Sequence, residues 1–186
     1  TAKSQNRRLL IASTNSRSPG GAVFLERIGG ERGLEAHTNQ LDMNDLDHAL
    51  VKKWLAEAPG RAPGYELGYW DGEYPEEQIM AISELWDLTN QQPKGELDIE
   101  DTKYSPEMLR QMERNMFASG RKRWTYYITE KASGKLVGYT ELMWSPVRSH
   151  IRAQGMTGVF PEHRNQGLGR WLKAAMLERV LAEEPP

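Results

Sequence analysis

The chain has 186 residues, with 24 Lys and Arg against 26 Asp and Glu, and it contains no cysteine. The net charge of -2 gives no basic excess for binding nucleic acid through its phosphates, and the missing cysteines exclude disulfides and a cysteine nucleophile. No apolar run approaches the roughly 20 residues that span a bilayer, and the polar N-terminus lacks the apolar core of a signal peptide. We therefore expect a cytoplasmic protein with no nucleic-acid or membrane partner.

The first 43 residues contain three short segments with regular apolar patterns. Residues 8–14 carry a compact apolar run before polar turn formers and predict a short buried strand. Residues 22–28 are apolar at helical spacing and lead into two glycines, which suits a helix that ends there. Residues 33–41 alternate weakly in hydrophobicity, as a further strand would. We predict a strand, a helix and a strand in the segment 1–43.

A helix and a break in the chain are predicted next. Asn44 is in the position of an N-cap for a helix that ends before Pro59, with one apolar face formed by Leu46, Leu50, Trp54 and Leu55. Residues 60–64 contain two glycines and a proline, which interrupt both helical and strand periodicity. We therefore predict a linker helix and break over 44–63, followed by a second compact segment over 64–186.

The second segment shows the order strand, helix, helix, hairpin, strand, glycine loop and helix. Short apolar runs predict the strands, helical spacing predicts the helices, and a Ser-Pro pair marks the start of the second helix. The strands are predicted at 65–70, 123–129, 135–144 and 152–160, and the helices at 75–88, 105–120 and from 167 onward. The basic residues 121–123 are expected to be solvated at the entrance to a strand.

Residues 158–170 combine a strand end, a loop with two glycines and the start of an amphipathic helix. The first N–H groups of a helix have no partner within the helix and lie at the positive end of its dipole, so they suit phosphate oxygens. Gly167 and Gly169 leave room for a phosphate to approach these amides, and Arg164 or Arg170 can add a charge. The stretch has neither the Lys-Ser/Thr of a nucleotide triphosphatase loop nor a full GxGxxG. We predict a phosphate-binding loop.

Arg164-x-x-Gly167-x-Gly169 resembles the Arg/Gln-x-x-Gly-x-Gly/Ala pattern of the GNAT superfamily of N-acetyltransferases, whose element order residues 65–182 also follow. The resemblance implies an α/β (α+β) fold with a mixed, mostly antiparallel twisted sheet flanked by helices. It also implies that the loop binds the pyrophosphate of acetyl-CoA, and that the Val159 main chain, at the bulge of the fourth strand, aligns the thioester. The implied cofactor residues are Val159, Phe160, Arg164, Asn165, Gln166, Gly167, Leu168, Gly169 and Arg170. The scattered histidines form no metal constellation, so no metal is expected.

The chain as a whole resembles the middle of a tandem GNAT protein of the mycothiol-synthase-like type. Residues 8–41 look like the strand, helix and closing strand that this family places after the loop helix. One hypothesis is a permuted fold in which residues 8–41 complete the sheet of residues 65–182, within one chain or by segment exchange in a homodimer. The motive is that the fourth strand would otherwise expose a long edge. The alternative is two half-domains that are each incomplete.

Acetyl transfer to an amine needs a proton acceptor for the amine and an acid for the departing thiolate. Glu141 is the predicted base, because it lies in an otherwise apolar strand, where its carboxylate is either solvated or turned into the cleft with a raised pKa. The Tyr that often serves as acid in this family would fall near Phe24, which has no hydroxyl. Tyr139 or Tyr127 could supply this proton instead, and we take Tyr139 as the candidate catalytic acid.

The predicted function is an acetyl-CoA-dependent N-acetyltransferase that moves the acetyl group directly to the primary amine of a small molecule. The lack of cysteine favours direct transfer over a cysteine-bound intermediate. Two functions from other classes stay open. One is a catalytically silent CoA-binding or structural half of a tandem GNAT protein, and the other is a nucleotide-binding module, which would lack the Ser/Thr that binds magnesium.

Overall fold

The computed structural model describes residue 4 and residues 8–183 of the chain. These residues form two compact units. The smaller unit takes in the described residues up to Asn39 together with Pro93–Asp101, and the larger one takes in Gln40–Gln92 and the described residues from Thr102 onward. Within the described part of the chain, no helix is both long and apolar enough to cross a membrane.

The smaller unit contains one helix, α1, which spans Pro19–Arg27 and has no buried residue. The helix predicted over 22–28 is therefore confirmed, although it begins earlier, at a proline that suits the first helical turn. Both strands predicted here are wrong, because residues 8–14 and 33–41 have no strand structure. An apolar run becomes a strand only when another strand satisfies its backbone groups, and Leu10 is instead 85% exposed.

The larger unit consists of four helices and one antiparallel sheet. The strands are β1 Tyr65–Asp71, β2 Lys122–Glu130, β3 Leu136–Trp144 and β4 Ala153–Val159, paired in the order β1-β2-β3-β4. The helices are α2 His48–Arg61, α3 Ile79–Trp86, α4 Pro106–Ala118 and α5 Leu168–Glu183. All four predicted strands and all three predicted helices of the second segment are confirmed, with shifts at their ends.

Helix α2 differs from its prediction at both ends. Its N-cap is Asp47, whose carboxylate accepts a hydrogen bond from the backbone N–H of Leu50 at 2.9 Å, so the predicted Asn44 cap is wrong. The helix also continues through Pro59 to Arg61. A proline has a backbone φ compatible with a helix, but it lacks the N–H that would donate to the carbonyl four residues earlier.

Helices cover both faces of the sheet. On one face, α2 and α5 pack against the strands through a cluster that includes Ala58, Ile128 and Leu172. On the other face, the cluster around Ile82 and Leu109 joins α3 and α4 to β1. Because alternate side chains of a strand face opposite sides, β1, β2 and β3 contribute to both clusters, whereas β4 contributes only to the first.

Strand β4 is an edge strand and carries a bulge. Thr140 pairs with Thr157 and Leu142 pairs with Gln154, so three residue steps on β4 match two on β3. The extra residue lies at Gly155–Met156, opposite Glu141. All four strands of the sheet lie in the larger unit, and residues 8–41 contain no described strand. Completion of the sheet by residues 8–41 within the chain is therefore wrong, whereas exchange between two chains stays a prediction.

Candidate functional site

The loop between β4 and α5 has an unusual backbone at two positions. Asn165 has a φ of 64° and Gly167 a φ of 80°, both in the left-handed region. Asn and Gly are the residues that tolerate this conformation best, which explains why they occupy these positions. The two turns reverse the chain between the end of β4 and the first residue of α5, Leu168. The first amides of α5 lie directly after these two residues and have no partner within the helix.

A cavity of about 420 Å³ opens over this loop and the start of α5. Most of its lining residues were predicted from the sequence, whereas Arg61 and His163 were not among the predicted cofactor residues, and Phe160 and Gln166 do not line the cavity. The lining residues are Arg61, Val159, His163, Arg164, Asn165, Gly167, Leu168, Gly169 and Arg170. The structure thus brings the predicted loop residues together around one space.

A tyrosine of β1 holds the loop in place through hydrogen bonds. The Tyr65 hydroxyl lies 3.0 Å from Nδ1 of His163 and accepts a hydrogen bond from Nε2 of Gln166 at 2.9 Å. The Tyr65 and His163 rings also meet edge to face, with 5.8 Å between their centroids. The side chain of Gln166 is therefore used to hold the loop, which leaves its backbone available to a ligand.

Arg164 is bound to the protein by two donors of its guanidinium. Its Nε donates to the backbone oxygen of Val159 at 2.9 Å, and its Nη2 donates to Oε1 of Gln91 at 2.5 Å. These contacts join the loop to the end of β4 and to the turn after α3. Arg164 thus fixes the shape of the loop in addition to lining the cavity.

Positive charge is concentrated around the first turn of α5. The helix N-terminus contributes a partial charge, and Arg61 and Arg170 contribute full charges at the cavity wall. The Arg170 guanidinium carbon lies 5.0 Å from the centroid of the Trp54 ring, which orients it by a cation–π contact. A Cβ added at Gly169 would meet no atom within 4 Å and would point into open space. The residues present therefore suit a phosphate that approaches the backbone closely.

Val159 is placed differently from what the resemblance implied. It pairs regularly with Gly138, and the bulge of β4 lies earlier, at Gly155–Met156, so its placement at the bulge is wrong. Gln154 stabilises the irregular segment, because its Nε2 donates to the backbone oxygen of Glu141 at 2.7 Å. The sequence indicated this position only by the glycine in the strand, a common mark of a bulge.

Glu141 is buried on the face of the sheet that packs against α3 and α4, with 3% of its surface exposed. It accepts a hydrogen bond from the Tyr74 hydroxyl at 2.5 Å, and that hydroxyl accepts one from Nε1 of Trp86 at 3.0 Å. Burial raises the pKa of Glu141, while the nearby Arg123 and the bond from Tyr74 act in the opposite direction. Its carboxylate does not face the cavity over the loop.

Arg123 lies at the centre of this polar cluster and is only 4% exposed. Its Nη2 donates to Oε1 of Glu113, and its Nε lies 3.6 Å from Oε1 of Glu141. The expectation that residues 121–123 are all solvated is therefore wrong for Arg123. Two buried carboxylates neutralise its charge, and such pairing between distant elements has no signature in the local sequence.

Tyr139 is also buried, with 1% of its surface exposed. Its hydroxyl has no hydrogen-bond partner among the described residues. Burial, and secondarily the charge of Glu141, raises the pKa of Tyr139, so its hydroxyl holds its proton more tightly than a solvated tyrosine does. Glu141 and Tyr139 are separated by one residue of β3, so they lie on the same face of the strand. Together they form a buried polar region separate from the loop cavity.

The acetyltransferase (GNAT) family model matches residues 80–184, which include the sheet strands β2 to β4 and the loop. The chain also resembles the solved structure of a tandem GNAT protein from the clavulanic acid biosynthesis pathway, with 30% identity and a TM-score of 0.64. The match covers 94% of this chain and 50% of the tandem protein, so the chain spans about half the length of that relative. The chain belongs to the GNAT acetyltransferase family.

Other similar solved structures are acetyltransferases of lower identity. One from Trypanosoma brucei is 20% identical with a TM-score of 0.43, and covers 63% of this chain and 76% of its own. One from Streptococcus agalactiae is 19% identical with a TM-score of 0.41, and the match covers 63% of this chain and 67% of the other. A comparison with curated proteins found no match.

Proposed function

We propose that this chain binds acetyl-CoA at the loop between β4 and α5 and transfers the acetyl group directly to the primary amine of a small molecule. The observation that carries the proposal is the cavity over residues 164–170, where helix amides, three arginines and an open glycine converge. Membership of the GNAT family supports the acetyl group as the transferred unit. Acetyl-CoA supplies the activated thioester, and the residues of the chain bind and orient it.

The phosphate-rich end of the cofactor fits the first turn of α5. The backbone N–H groups of Gln166 to Arg170 are the donors, because amides at a helix start lack partners within the helix. Gly169 permits close approach, and Arg170, oriented by Trp54, adds a charge. The reactive end would follow the open edge of β4, where the bulge at Gly155–Met156 redirects backbone groups away from β3.

We propose Glu141 as the base and Tyr139 as the acid, and their burial limits how a substrate can reach them. Both side chains are buried, so an acceptor amine reaches Glu141 only if the cluster around Tyr74 opens. The raised pKa of Glu141 makes it a stronger proton acceptor than a solvated carboxylate, whereas the raised pKa of Tyr139 makes it a weaker proton donor than a solvated tyrosine.

A catalytically silent, CoA-binding half of a tandem protein is the second candidate. The burial of Glu141 and Tyr139 favours it, because neither side chain touches the loop cavity. We infer for this case that the segment 1–43 is the rear part of one GNAT repeat, that 44–63 links the repeats, and that 64–186 is the front of the next. The similarity to a tandem GNAT protein along most of the chain supports this division.

We also propose a homodimer in which residues 8–41 of one copy complete the sheet of the other. Its support is the open edge of β4 together with the exposed apolar side chains of residues 9–11. Sedimentation equilibrium tests it directly. A dimer that Leu10→Lys dissociates supports exchange, and a monomer over the concentration range of the experiment refutes it.

Release of free thiol from acetyl-CoA over a panel of primary amines distinguishes the two functions, provided that binding is measured on the same preparation. Binding with amine-dependent thiol release supports the acetyltransferase. Binding without release for every amine supports the silent half. A chain that binds no acetyl-CoA contradicts both.

A further inference from the structure

We propose that Arg61, at the end of α2, is a phosphate ligand of the loop site, a role that rests on the proposed binding of CoA. Helix α2 spans His48–Arg61 and lies outside residues 80–184, the part that the family model matches. The cofactor site therefore draws a charged side chain from a helix that precedes the family domain. CoA offers three phosphate groups, so an additional cation has a chemically suitable partner.

The position of Arg61 relative to Gly167 carries the argument. A Cβ added at Gly167 would lie 3.0 Å from Cδ of Arg61, 3.5 Å from its Nη1 and 3.9 Å from its Nε. The side chain thus crosses the loop at the point where the glycine leaves room for it. Arg61 lines the same cavity as Gly169 and Arg170, and 45% of its side chain is exposed, so a ligand in the cavity can reach its guanidinium.

The hydrogen-bond donors of Arg61 are largely unused. Its Nη2 donates to Oε2 of Glu57 at 3.3 Å, one turn earlier in α2, and this is the one side-chain partner among the described residues. Nη1 and Nε lie close to Gly167 and have no described side-chain partner. An exposed pair of this kind contributes little to stability, so Arg61 can exchange Glu57 for a phosphate at small expense.

The arginines of the site differ in how many of their donors the protein uses. Arg164 already donates to Val159 and Gln91, and Arg170 stacks on Trp54. Arg164 therefore has little donor capacity left for a ligand, whereas Arg61 and Arg170 keep most of theirs. A guanidinium presents several N–H groups in a planar fork, which matches phosphate oxygens.

The packing of α2 fixes where Arg61 lies. Ala58 and Ala62 are buried in the same cluster as Leu168 and Leu172 of α5. The last turn of α2 and the first turns of α5 are therefore held together by apolar contacts beside the cavity. Because Arg61 is held in place before the ligand arrives, less ordering is needed on binding.

Calorimetric titration of the full chain with CoA tests the proposal through Arg61→Gln. We expect roughly tenfold weaker binding, as for one charge-assisted contact at a partly exposed site. Lys53→Gln is the matched control, because Lys53 approaches the same Glu57 at 3.9 Å but does not line the cavity, and its affinity should match that of the unmodified chain. Glu57→Gln should bind CoA as tightly or more tightly, since it removes a competing carboxylate.

Two further measurements show which phosphate Arg61 contacts and whether the variants are folded. If Arg61→Gln weakens 3'-dephospho-CoA as much as CoA, Arg61 binds the pyrophosphate, and if the effect disappears, it binds the 3'-phosphate. Arg61→Lys should keep part of the affinity, and both variants should keep the unfolding midpoint of the unmodified chain. Arg61→Gln binding CoA as the unmodified chain does would overturn the proposal, whereas an unmodified chain that binds no CoA would instead overturn the proposed function.

Discussion

Nε of Arg164 donates to the backbone oxygen of Val159 at 2.9 Å, which joins the loop to the strand end that precedes it. The sequence motif treats this arginine as a cation for phosphate, but its geometry makes it first an anchor of the loop. Two hydrogen bonds hold its guanidinium, and a loop with two left-handed residues needs such support to keep one conformation.

Replacing Arg164 with Met removes this anchor. We expect the free energy of unfolding to fall by about 1–2 kcal/mol, because two hydrogen bonds from a charged group are lost at a partly exposed position. CoA affinity should fall in the same variant, since the amides of the loop lose their fixed arrangement. Urea unfolding and calorimetry measure the two effects. Arg148→Met, at an exposed turn, is the control, and a loss of affinity with unchanged stability would mean that Arg164 acts only as a phosphate ligand.

Gly169→Val places side-chain atoms in the open space at the first turn of α5. No protein atom lies within 4 Å of the added Cβ, so we expect stability to be unchanged. CoA binding should weaken by roughly tenfold or more, because the new side chain occupies the space that a phosphate needs. Gly20→Val is matched, since Gly20 is likewise the second residue of a helix with nothing within 4 Å. Equal CoA affinity in the two variants would place the phosphates elsewhere.

Arg123→Met tests the buried cluster beneath α3 and α4. The substitution removes the cation that Glu113 and Glu141 share in a dehydrated environment. Glu113 keeps its ion pair with Arg110, so we expect a loss of about 3 kcal/mol in the free energy of unfolding, mainly from Glu141. Arg121→Met is the control two residues away, where the side chain is exposed. Thermal or urea unfolding gives the comparison, and equal stability of the two variants would mean that the cluster contributes nothing.

Glu141→Gln isolates the consequence of the raised pKa at that position. Folding raises the pKa of Glu141 above its usual range, so its stabilising contribution is present below that range and is lost as the pH rises through the folded-state pKa. Glutamine resembles the protonated form and has no such dependence. Relative to the unmodified chain, the variant should therefore gain stability as the pH rises above the usual range of a glutamate carboxyl. If the free energies of unfolding of the variant and the unmodified chain changed with pH in the same way, the pKa of Glu141 would not be raised by folding.

Where turnover is detected, the same variant tests whether Glu141 is the base. If Glu141 is the base, Glu141→Gln abolishes amine-dependent thiol release while CoA binding is kept. If Glu141 serves only the buried cluster, turnover persists in the folded variant. Unchanged turnover would exclude Glu141 as the base.

The loop could be predicted from the sequence because its signals are local. Gly167, Gly169 and the amphipathic face of α5 follow one another in the chain and need no distant partner to be recognised. Residues 8–14 gave an equally clear apolar run, but a strand depends on pairing with another segment, which the run itself does not encode. The short turn between β2 and β3 let that hairpin be predicted, since its pairing is local.

The remaining errors come from contacts between distant elements. Arg61 reaches the loop from a helix about a hundred residues earlier, and the burial of Arg123 depends on Glu113 and Glu141 from other elements. Alternation along β3 left the direction of Glu141 undecided, because both faces of the sheet are covered by helices. Only the packing of α3 and α4 determined that its carboxylate is buried beside Tyr74.

The central claim is that the first turn of α5 and its loop bind the phosphate end of acetyl-CoA. Calorimetric titration of the purified chain with acetyl-CoA tests it most directly, with Gly169→Val measured alongside. We predict saturable binding of one acetyl-CoA per chain that weakens with added salt and is lost or strongly reduced in the variant. No binding heat from the folded chain, or equal affinity of chain and variant, would contradict the claim.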